Sequence, residues 1–331
     1  MQRTIAYVMS RFPNLTETFI LREMNELERQ GWRVALYPLI VQRQAVVHPD
    51  AQRWIPRIRH TPPLAPAAVA ENLRALRISP RQYTGMWAQA LWENRTSPNL
   101  WLRALAVLPQ ATWSARQMVR EGVTHVHAHY ATHPALAAWA IHRLTGIPYS
   151  ITVHAHDIYV RTSMLGAKVR EAEFVAAISE YNRERLAQTV GEWAREKTHV
   201  VHCGVNPATY SPRPADVRRG EQFEILNIGS LQPYKGHPHL IRACALLRDR
   251  GVPVHCRIIG QGQERKRLEL MIAAAGLEGV VELLGSRTEE EVALILQTVD
   301  CYAQPSIITT SGKMEGIPVA LMEALACALP V

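Results

Sequence analysis

The stretch from residue 4 to residue 39, TIAYVMSRFPNLTETFILREMNELERQGWRVALYPL, decides the predicted fold. It begins with an apolar run at Thr4–Met9 and continues with a segment of helical period at Glu17–Gln30. Gly31 is a stop signal for that helix, and a second apolar run follows at Arg33–Leu39. A strand, a helix and a strand in this order predict a βαβ unit with parallel strands.

The same alternation continues along nearly the whole chain and predicts an α/β protein with doubly wound parallel sheets. A segment with three prolines in PATYSPRPADVRRG interrupts it, which predicts a linker over residues 207–221. We therefore expect two Rossmann-like domains, 1–206 and 222–331, facing a cleft. The remaining predicted strands are His125–His129, Tyr149–Val153, Phe174–Ile178, His199–His202, Glu224–Ile228, Val254–Ile259, Val280–Leu284 and Cys301–Gln304.

Composition narrows the class of protein. The chain has 331 residues, of which 47% are hydrophobic and 20% charged, which argues against disorder, collagen or a disulfide scaffold. Five cysteines without a CxxC pair indicate reduced thiols. No apolar run approaches the roughly 18 to 20 residues of a spanning helix. We expect a cytoplasmic protein that neither spans a membrane nor is exported.

The net charge of +8 is concentrated at one end of the chain. Residues 1–120 carry a balance of +9 and residues 121–331 a balance of −1. The predicted helical segment 42–120 interleaves arginine with five tryptophans. Such a surface could meet anionic lipid headgroups or a lipid-linked phosphate, while a solvated helical face with core tryptophans is an equal alternative. Nucleic acid is not expected, since no recognised motif accompanies the charge.

Two carboxylates eight positions apart lie in KMEGIPVALMEA, residues 313–324. Glycine and Pro318 mark a loop that enters a helix, so Glu315 would lie on the loop and Glu323 inside the helix. A helix start carries free backbone N–H groups suited to an anion, here those of Gly316, Ile317 and Val319. A carboxylate, a set of free amides and a second carboxylate in line could bind a sugar, a phosphate and a ribose. The alternative interpretation is an ordinary acidic helix start followed by a solvent-facing glutamate, which is also common.

Lys235 follows a predicted strand in NIGSLQPYKG, residues 227–236. A lysine at the carboxyl end of a strand can neutralise a leaving phosphate as a point charge. A glycine pair follows another strand in IGQGQE, residues 259–264, but Arg265 occupies the last position of a GxGxxG fingerprint. Dinucleotide binding, and with it an NAD-dependent dehydrogenase, is therefore disfavoured.

Histidines cluster in the first half, with His127 and His129 alternating on one strand and His154 following the next. Such a cluster could ligate a metal, but no cysteine or carboxylate cluster joins it locally, so we expect no metal and a polar lining of the cleft instead. His154 would point into that cleft. A metal-dependent hydrolase stays open as a rival.

Together these motifs resemble the retaining nucleotide-sugar glycosyltransferases of family 4, which have the GT-B fold, and more narrowly the bacterial branch of colanic acid and exopolysaccharide synthesis. The resemblance covers nearly the whole chain. It rests on ordered motifs at residues 10–20, 127–134, 152–157, 178–182, 204–206, 229–236 and 315–323.

The resemblance implies roles for individual residues. Glu315 and Glu323 match the family's glutamate pair, which holds the hydroxyls of the donor sugar and the ribose, and Lys235 matches the lysine on the donor diphosphate. His154 matches a histidine near the donor sugar and the reacting centre. The resemblance and the pattern together give donor-binding residues Ser230, Lys235, Gly316, Ile317, Pro318, Val319 and Glu323, catalytic residues His154, Lys235 and Glu315, and acceptor-side residues Arg11, Asn14, Thr16, Glu17, His129 and Asp157.

The chain also departs from the family pattern. Ser230 stands where the family commonly has an arginine, so a second cation on the diphosphate would have to come from Arg11 or Lys313. Ser10–Pro13 replaces the glycine pair after the first strand. The chain ends where another strand would begin, so we expect a truncated second domain.

The resemblance thus implies transfer of a sugar from a nucleoside-diphosphate sugar to a saccharide or lipid-linked saccharide, with retention and with no metal or other cofactor. The expected partners are the donor, the acceptor and an anionic membrane surface at the inner face of the plasma membrane. Rival interpretations are the metal-dependent hydrolase and a sugar-nucleotide-binding protein without activity.

Overall fold

The computed structural model divides the chain into two compact units, Met1–His202 and Cys203–Val331. Tyr210, inside the predicted linker, is buried in a core cluster of the second unit, so this unit begins before residue 206. The structure describes residues 3–14, 18–43, 49–160, 162–213 and 220–331.

The first unit contains a six-stranded parallel sheet in the order β2-β1-β3-β4-β5-β6. Its strands are β1 (Thr4–Phe12), β2 (Arg33–Val41), β3 (His125–His129), β4 (Tyr149–Val153), β5 (Phe174–Ala177) and β6 (Thr198–Val200). Its helices are α1 (Thr18–Arg29), α2 (Pro49–Gln52), α3 (Pro66–Ile78), α4 (Pro80–Glu93), α5 (Pro98–Arg120), α6 (His133–Thr145), α7 (Ala155–Tyr159), α8 (Leu165–Glu171), α9 (Glu180–Val190) and α10 (Trp193–Lys197).

Both faces of this sheet are covered, as alternation along β1 requires. Ala6 and Val8 belong to the core cluster that also contains residues of α5 and α6. Tyr7 and Met9 point the other way and belong to the cluster that contains Ile20 and other residues of α1. A parallel sheet buried on both faces is the doubly wound arrangement that the sequence predicts.

The second unit repeats this plan with a four-stranded parallel sheet in the order β10-β7-β8-β9. Its strands are β7 (Phe223–Ile228), β8 (Val254–Ile259), β9 (Val281–Gly285) and β10 (Cys301–Tyr302). Its helices are α11 (His237–Asp249), α12 (Arg265–Ala274), α13 (Glu289–Leu296) and α14 (Val319–Ala326), with a short 3₁₀ turn at Pro233–Lys235. Every predicted strand is found, although β1 is three residues longer than predicted and β10 is two residues shorter.

Each sheet has one place where the strand order reverses. In the first unit it lies between β1 and β3, and in the second between β7 and β10. Ligands of open α/β sheets bind at the carboxyl ends of the strands that flank such a reversal. These two places are therefore the candidate positions for a ligand site.

The tryptophans of segment 42–120 pack mostly inward. Trp54 is fully buried, and its indole N–H donates to Asn25 Oδ1 at 2.9 Å. Trp92 is 65% exposed, and the Arg95 guanidinium lies 3.8 Å from its ring centroid. The structure thus supports the core interpretation for most of these rings. Half-buried are Trp87, Trp101 and Trp113.

Candidate functional site

The strand reversal of the second unit brings together the loop after β7 and the loop after β10. The two loops touch at Gly236, which has a φ of +71° and where a Cβ atom would lie 1.9 Å from the carbonyl oxygen of Pro305. The backbone N–H of Ile307 donates to the carbonyl of Tyr234 at 2.9 Å. Only glycine allows this approach, so Gly236 fixes the distance between the loops.

Lys235 and Glu315 meet across these loops. Lys235 Nζ lies 2.5 Å from Glu315 Oε2, and the two side chains are only 12% and 20% exposed. The lysine crosses Gly229 so closely that a Cβ atom there would lie 3.2 Å from Lys235 Cδ. The structure thus joins as one ion pair two residues that the sequence predicted in separate roles.

A chain of polar contacts supports Glu315 from behind. The Tyr302 hydroxyl donates to Gln304 Oε1 at 2.5 Å, and the Gln304 amide donates to Ser306 Oγ at 2.7 Å. Ser306 Oγ in turn donates to Glu315 Oε2 at 3.4 Å. The sequence analysis missed this chain, although polar residues at positions 302, 304 and 306 alternate directly after a strand and are the signal that could have found it.

Glu323 lies in the first turns of α14, where it is buried. Burial raises the pKa of Tyr302, and the negative charges of Glu315 and Glu323 raise it further. Both carboxylates are therefore near enough to this phenol to interact with it electrostatically. Pro318 is the N-cap of α14, one position before the first helical turn. The half-buried residues Gly316 and Ile317 precede it, so backbone amides of this helix start lie between the two glutamates in sequence.

Tyr234 places a second lysine beside the first. Lys313 Nζ lies 4.5 Å from the ring centroid of Tyr234, and Lys235 Nζ lies 5.5 Å from it. Lys313 also donates to Gln232 Oε1 at 2.9 Å. Ser230 is half-buried in the same loop and offers no positive charge. Two ammonium groups therefore lie near one ring, that of Lys235 from the loop after β7 and that of Lys313 from the loop after β10.

The glycine pair of IGQGQE, Gly260 and Gly262, has a structural role in these loops. A Cβ atom on Gly260 would lie 1.9 Å from the carbonyl oxygen of Gly229, and one on Gly262 would lie 2.4 Å from that of Leu231. The Leu231 N–H donates to the Gln261 carbonyl at 2.9 Å. The pair thus supports the Lys235 loop, which accounts for these glycines without a dinucleotide.

The strand reversal of the first unit carries a cluster of Glu23, His127 and His129, in which both histidines are buried and the Glu23 side chain is 42% exposed. Glu23 Oε2 lies 3.4 Å from His129 Nε2, Glu23 Oε1 lies 3.7 Å from His127 Nε2, and the Tyr7 hydroxyl donates to Glu23 at 2.5 Å. Burial opposes ionisation of Glu23, but His129, then His127 and the Tyr7 hydroxyl hold its pKa well below the usual range. Burial lowers the pKa of His127 to about 3, and the charge of Glu23 opposes this shift only in part.

The sequence analysis found no cysteine or carboxylate cluster close to these histidines in sequence, but the fold brings Glu23 next to them. Glu23 comes from α1, within the apolar stripe that includes Ile20 and Met24, and a carboxylate in such a stripe was the available signal. One ligand atom from each member of the cluster lies within 4.8 Å of the others, so these residues could hold a metal ion. His127 is already bonded to two hydroxyls, those of Ser150 at 2.8 Å and Thr152 at 2.9 Å.

His154 follows β4, and its ring centroid lies 4.4 Å from that of Tyr130. Tyr130 has a φ of +76°, a left-handed conformation that is strained for a bulky residue and is typical of functional turns. Burial, then the charge of His129, lowers the pKa of His154 to about 3. The imidazole is therefore neutral near pH 7, and its buried Nε2 has no hydrogen-bond partner among the described residues.

Asp157 holds the loop that carries His154. Its Oδ1 accepts the N–H of His154 at 2.9 Å, and its Oδ2 accepts the N–H of Ala131. Burial raises the pKa of Asp157 to about 7, and burial lowers the pKa of nearby Lys168 to about 8. Asp157 was expected on the acceptor side, and its contacts fit the orientation of the His154 loop.

The other acceptor-side residues follow β1. Arg11 is the exposed penultimate residue of that strand, and Asn14 is half-buried just beyond it. Thr16 and Glu17 lie outside the described residues. Among the helices that the structure describes, none has the length and apolar character needed to cross a membrane.

Comparison with known families matches both parts of the chain. Residues 67–209 match the family described as Glycosyltransferase Family 4. Residues 213–331 match the family described as Glycosyl transferases group 1.

Named relatives come from bacterial polysaccharide synthesis. The putative colanic acid biosynthesis glycosyltransferase WcaL of Escherichia coli is 38% identical over 162 residues, which are 49% of this chain and 39% of the relative. The amylovoran biosynthesis glycosyltransferase AmsK of Erwinia amylovora is 37% identical over 136 residues, which are 41% and 33% of the two chains. The chain thus spans less than half the length of these relatives.

Solved structures share the fold across almost the whole chain. Anabaena Alr3699/HepE in complex with UDP and glucose has a TM-score of 0.69 at 18% identity and covers 99% of this chain and 80% of its own. Sucrose-phosphate synthase from Thermosynechococcus elongatus has a TM-score of 0.65 at 16% identity, with coverage of 99% and 80%. The chain has the GT-B fold, and its two parts are similar to the family 4 and group 1 glycosyltransferase models.

Proposed function

We propose that this chain is a retaining glycosyltransferase that moves a sugar from a nucleoside-diphosphate sugar to a saccharide or lipid-linked saccharide in exopolysaccharide synthesis. One observation carries the proposal. The strand reversal of the second unit joins Lys235 to Glu315 at 2.5 Å, next to a helix start and a buried Glu323. A cation, free amides and two carboxylates are the groups that a diphosphate between two polyhydroxyl rings requires.

In the bound state the donor diphosphate would lie against Lys235 and the amides of Gly316–Val319. Glu323 would accept hydrogen bonds from the ribose hydroxyls, and Glu315 would accept them from the donor sugar. Glu315 is paired with Lys235 before the donor arrives. The diphosphate would therefore take the place of the Glu315 carboxylate as a hydrogen-bond acceptor of Lys235. The UDP and glucose bound by the similar HepE structure support a nucleotide-sugar donor of this kind.

Lys313 would supply the second cation that Ser230 lacks. Tyr234 lies beside both ammonium groups, and Gln232 holds the Lys313 ammonium at 2.9 Å. Part of the charge of Lys235 is neutralised by Glu315. A diphosphate carries more negative charge than one such lysine can balance, so a neighbouring lysine in the same loops is a reasonable source of the rest.

The proposed chemistry needs no side-chain nucleophile. The bond between the sugar carbon and the diphosphate oxygen breaks while the acceptor oxygen bonds to that carbon from the same face. The acceptor proton passes to the departing phosphate oxygen, so configuration is retained. The protein positions the two reactants and stabilises the charge on the diphosphate, which we assign to Lys235 and the helix amides. Neutral His154 would donate or accept a hydrogen bond at the donor sugar.

Neither rival is favoured. A metal-dependent hydrolase would use Glu23, His127 and His129, which lie close enough together, but both family matches are to glycosyltransferases. A binding protein without turnover would keep the donor groups intact. We expect no metal requirement, because lysines and backbone amides can neutralise the diphosphate.

Thermal melting with a panel of UDP-, GDP- and ADP-sugars tests the proposal, with NAD and zinc as comparison ligands. A ligand that binds only the folded protein stabilises it by about 2.7 kcal/mol when its concentration is 100 times Kd. The melting temperature rises accordingly. One nucleotide sugar should stabilise the protein, Glu323→Ala should abolish the effect, and Lys266→Ala on the exposed face of α12 should keep it.

The contrary outcomes are distinct. Stabilisation by zinc or NAD without any response to a sugar nucleotide would contradict the proposal. Stabilisation by a donor without any release of nucleoside diphosphate in the presence of candidate acceptors would favour the binding protein without turnover.

A further inference from the structure

The outward face of α3 combines apolar and basic side chains. Val69, Leu73 and Leu76 are 42%, 59% and 39% exposed and lie three or four residues apart, so they form one strip along the helix. Arg74 and Arg77 are exposed beside this strip. These five residues are called the α3 surface.

The neighbouring helix α5, which contacts α3, also exposes apolar and basic side chains. The Asn72 amide of α3 donates to the carbonyl of Pro109 in α5 at 3.1 Å, and Leu105 lies one turn before Pro109. Leu105, Leu102 and Arg103 are all exposed. Leucine therefore alternates with arginine on the exposed faces of both helices.

The arginines of this region carry unbalanced charge. In the part of the chain that the structure describes, no ion pair or side-chain hydrogen bond is made by Arg74, Arg77, Arg81 or Arg103. By contrast, Glu71, the one acidic residue of α3, lies 3.8 Å from Arg120. Several other arginines of the first unit are paired, as Arg59 is with Glu121 at 2.8 Å. The α3 surface thus has a net positive charge that nothing within the described part of the unit neutralises.

We propose that the α3 surface docks the first unit on an anionic lipid bilayer. The leucine and valine side chains would enter the boundary between headgroups and acyl chains, while the arginines would contact the phosphates. This is an interfacial contact and not a spanning one, since α3 has 13 residues and two exposed arginines. It is independent of the donor site and would bring the unit to the surface on which a lipid-linked acceptor lies.

Charge decides between a bilayer and other occupants. A symmetric dimer through the α3 surface would place the same arginines opposite one another, which is repulsive. A nucleic acid would neutralise the arginines but leave Leu73 and Leu76 against water. A bilayer with anionic headgroups satisfies both kinds of side chain.

Vesicle co-sedimentation of the whole chain tests the proposal without any sugar nucleotide. Wild-type protein should bind vesicles of phosphatidylcholine with one-third phosphatidylglycerol and should be released by high salt. Since each arginine near an anionic surface strengthens binding about fivefold, Arg74→Gln/Arg77→Gln should weaken it about 25-fold. Leu73→Ser/Leu76→Ser should weaken it more than about tenfold by removing apolar area from the boundary.

A matched control removes the same charge elsewhere. Arg185→Gln/Arg250→Gln takes two exposed arginines from other elements and should bind as wild type does. Unchanged melting temperatures would show that each variant folds.

Equal binding to pure phosphatidylcholine, or equal loss in the control, would overturn the proposal. Self-association that the α3 variants abolish, in a protein that does not bind vesicles, would also overturn it and assign the surface to a second copy of this chain. Failure of either kind leaves the donor site of the second unit untouched, because nucleotide-sugar stabilisation is measured separately.

Discussion

Replacing Lys235 by alanine separates the two tasks of this lysine in the second unit. In the free protein its ammonium neutralises Glu315 at 2.5 Å. In the proposed reaction it also stabilises the departing diphosphate. The single variant should therefore lose both stability and turnover. The double variant Lys235→Ala/Glu315→Gln should recover the stability and not the turnover, because the neutral amide that replaces the carboxylate needs no counter-charge.

The expected magnitude follows from the exposure of the pair. An exposed ion pair contributes up to about 1 kcal/mol, and breaking a fully buried one costs about 3 to 5 kcal/mol. With side chains 12% and 20% exposed, this pair lies between the two, so Lys235→Ala should cost about 2 kcal/mol. For a unit of this size that loss lowers Tm by about 8 °C. Losing one preorganised cation should lower turnover about 100-fold.

Differential scanning calorimetry without nucleotide measures the first effect, and release of nucleoside diphosphate measures the second. The comparison uses wild type, Lys235→Ala, the double variant and Lys266→Ala, which removes an exposed lysine of α12. We expect Tm to fall in Lys235→Ala alone and turnover to fall in both variants that lack Lys235.

Two results would refute the reasoning. If the double variant melts as low as Lys235→Ala, the unpaired Glu315 carboxylate is not the cause of the lost stability. If Lys235→Ala keeps the wild-type kcat, the lysine does not stabilise the departing diphosphate.

Two further predictions concern the neighbouring lysine and the buried histidines. Lys313→Ala should weaken binding of the preferred nucleoside diphosphate about tenfold in a calorimetric titration, because one charge-assisted hydrogen bond contributes about 1.5 kcal/mol. Lys266→Ala should leave the affinity unchanged. Equal affinity of both variants would exclude Lys313 from the site. The pKa of His127 is about 3 in the folded protein and 6.5 ordinarily, so the unfolded chain binds the proton first and stability is lost as the pH falls from 6.5 towards 3. Between pH 7 and pH 5 this group should cost about 2 kcal/mol, and denaturant titrations of His127→Asn should show a smaller loss than wild type; an identical pH dependence would contradict the buried, neutral imidazole.

The elements of the fold could be predicted because hydrophobic period is a local property of the sequence. The run at Tyr149–Val153 has the bounds of β4, and Gly31 follows α1 closely. The end of the last strand could not be predicted in the same way. Of the predicted strand Cys301–Gln304, only Cys301–Tyr302 pairs as a strand. Gln304 instead uses its side chain in the contact chain to Glu315, and hydropathy does not distinguish these two uses.

The donor residues could be predicted from motif spacing, but their mutual contact could not. Lys235 and Glu315 are far apart in sequence, and only the strand order β10-β7 places their loops side by side. Lys313 was left as one of two candidates for the second cation. Its position beside Tyr234 depends on the same strand order.

Charge composition indicated a basic region, and the tryptophans between its arginines left two interpretations open. Tryptophan is conspicuous in a sequence, yet Trp54 is buried because its ring fills the core beside α1. The exposed apolar side chains are instead leucines such as Leu73, whose outward direction follows from the packing of α3 on α5. One sequence does not reveal which side of an arginine-rich helix faces a neighbour.

A crystal structure with the nucleoside diphosphate that stabilises the protein most would test the central claim most directly. The account predicts phosphate oxygens about 3 Å from Lys235 Nζ and from the backbone nitrogens of Gly316, Ile317 and Val319, with the ribose hydroxyls on Glu323. A nucleotide bound elsewhere, with the Lys235–Glu315 pair undisturbed and Glu323 without a ligand contact, would contradict it.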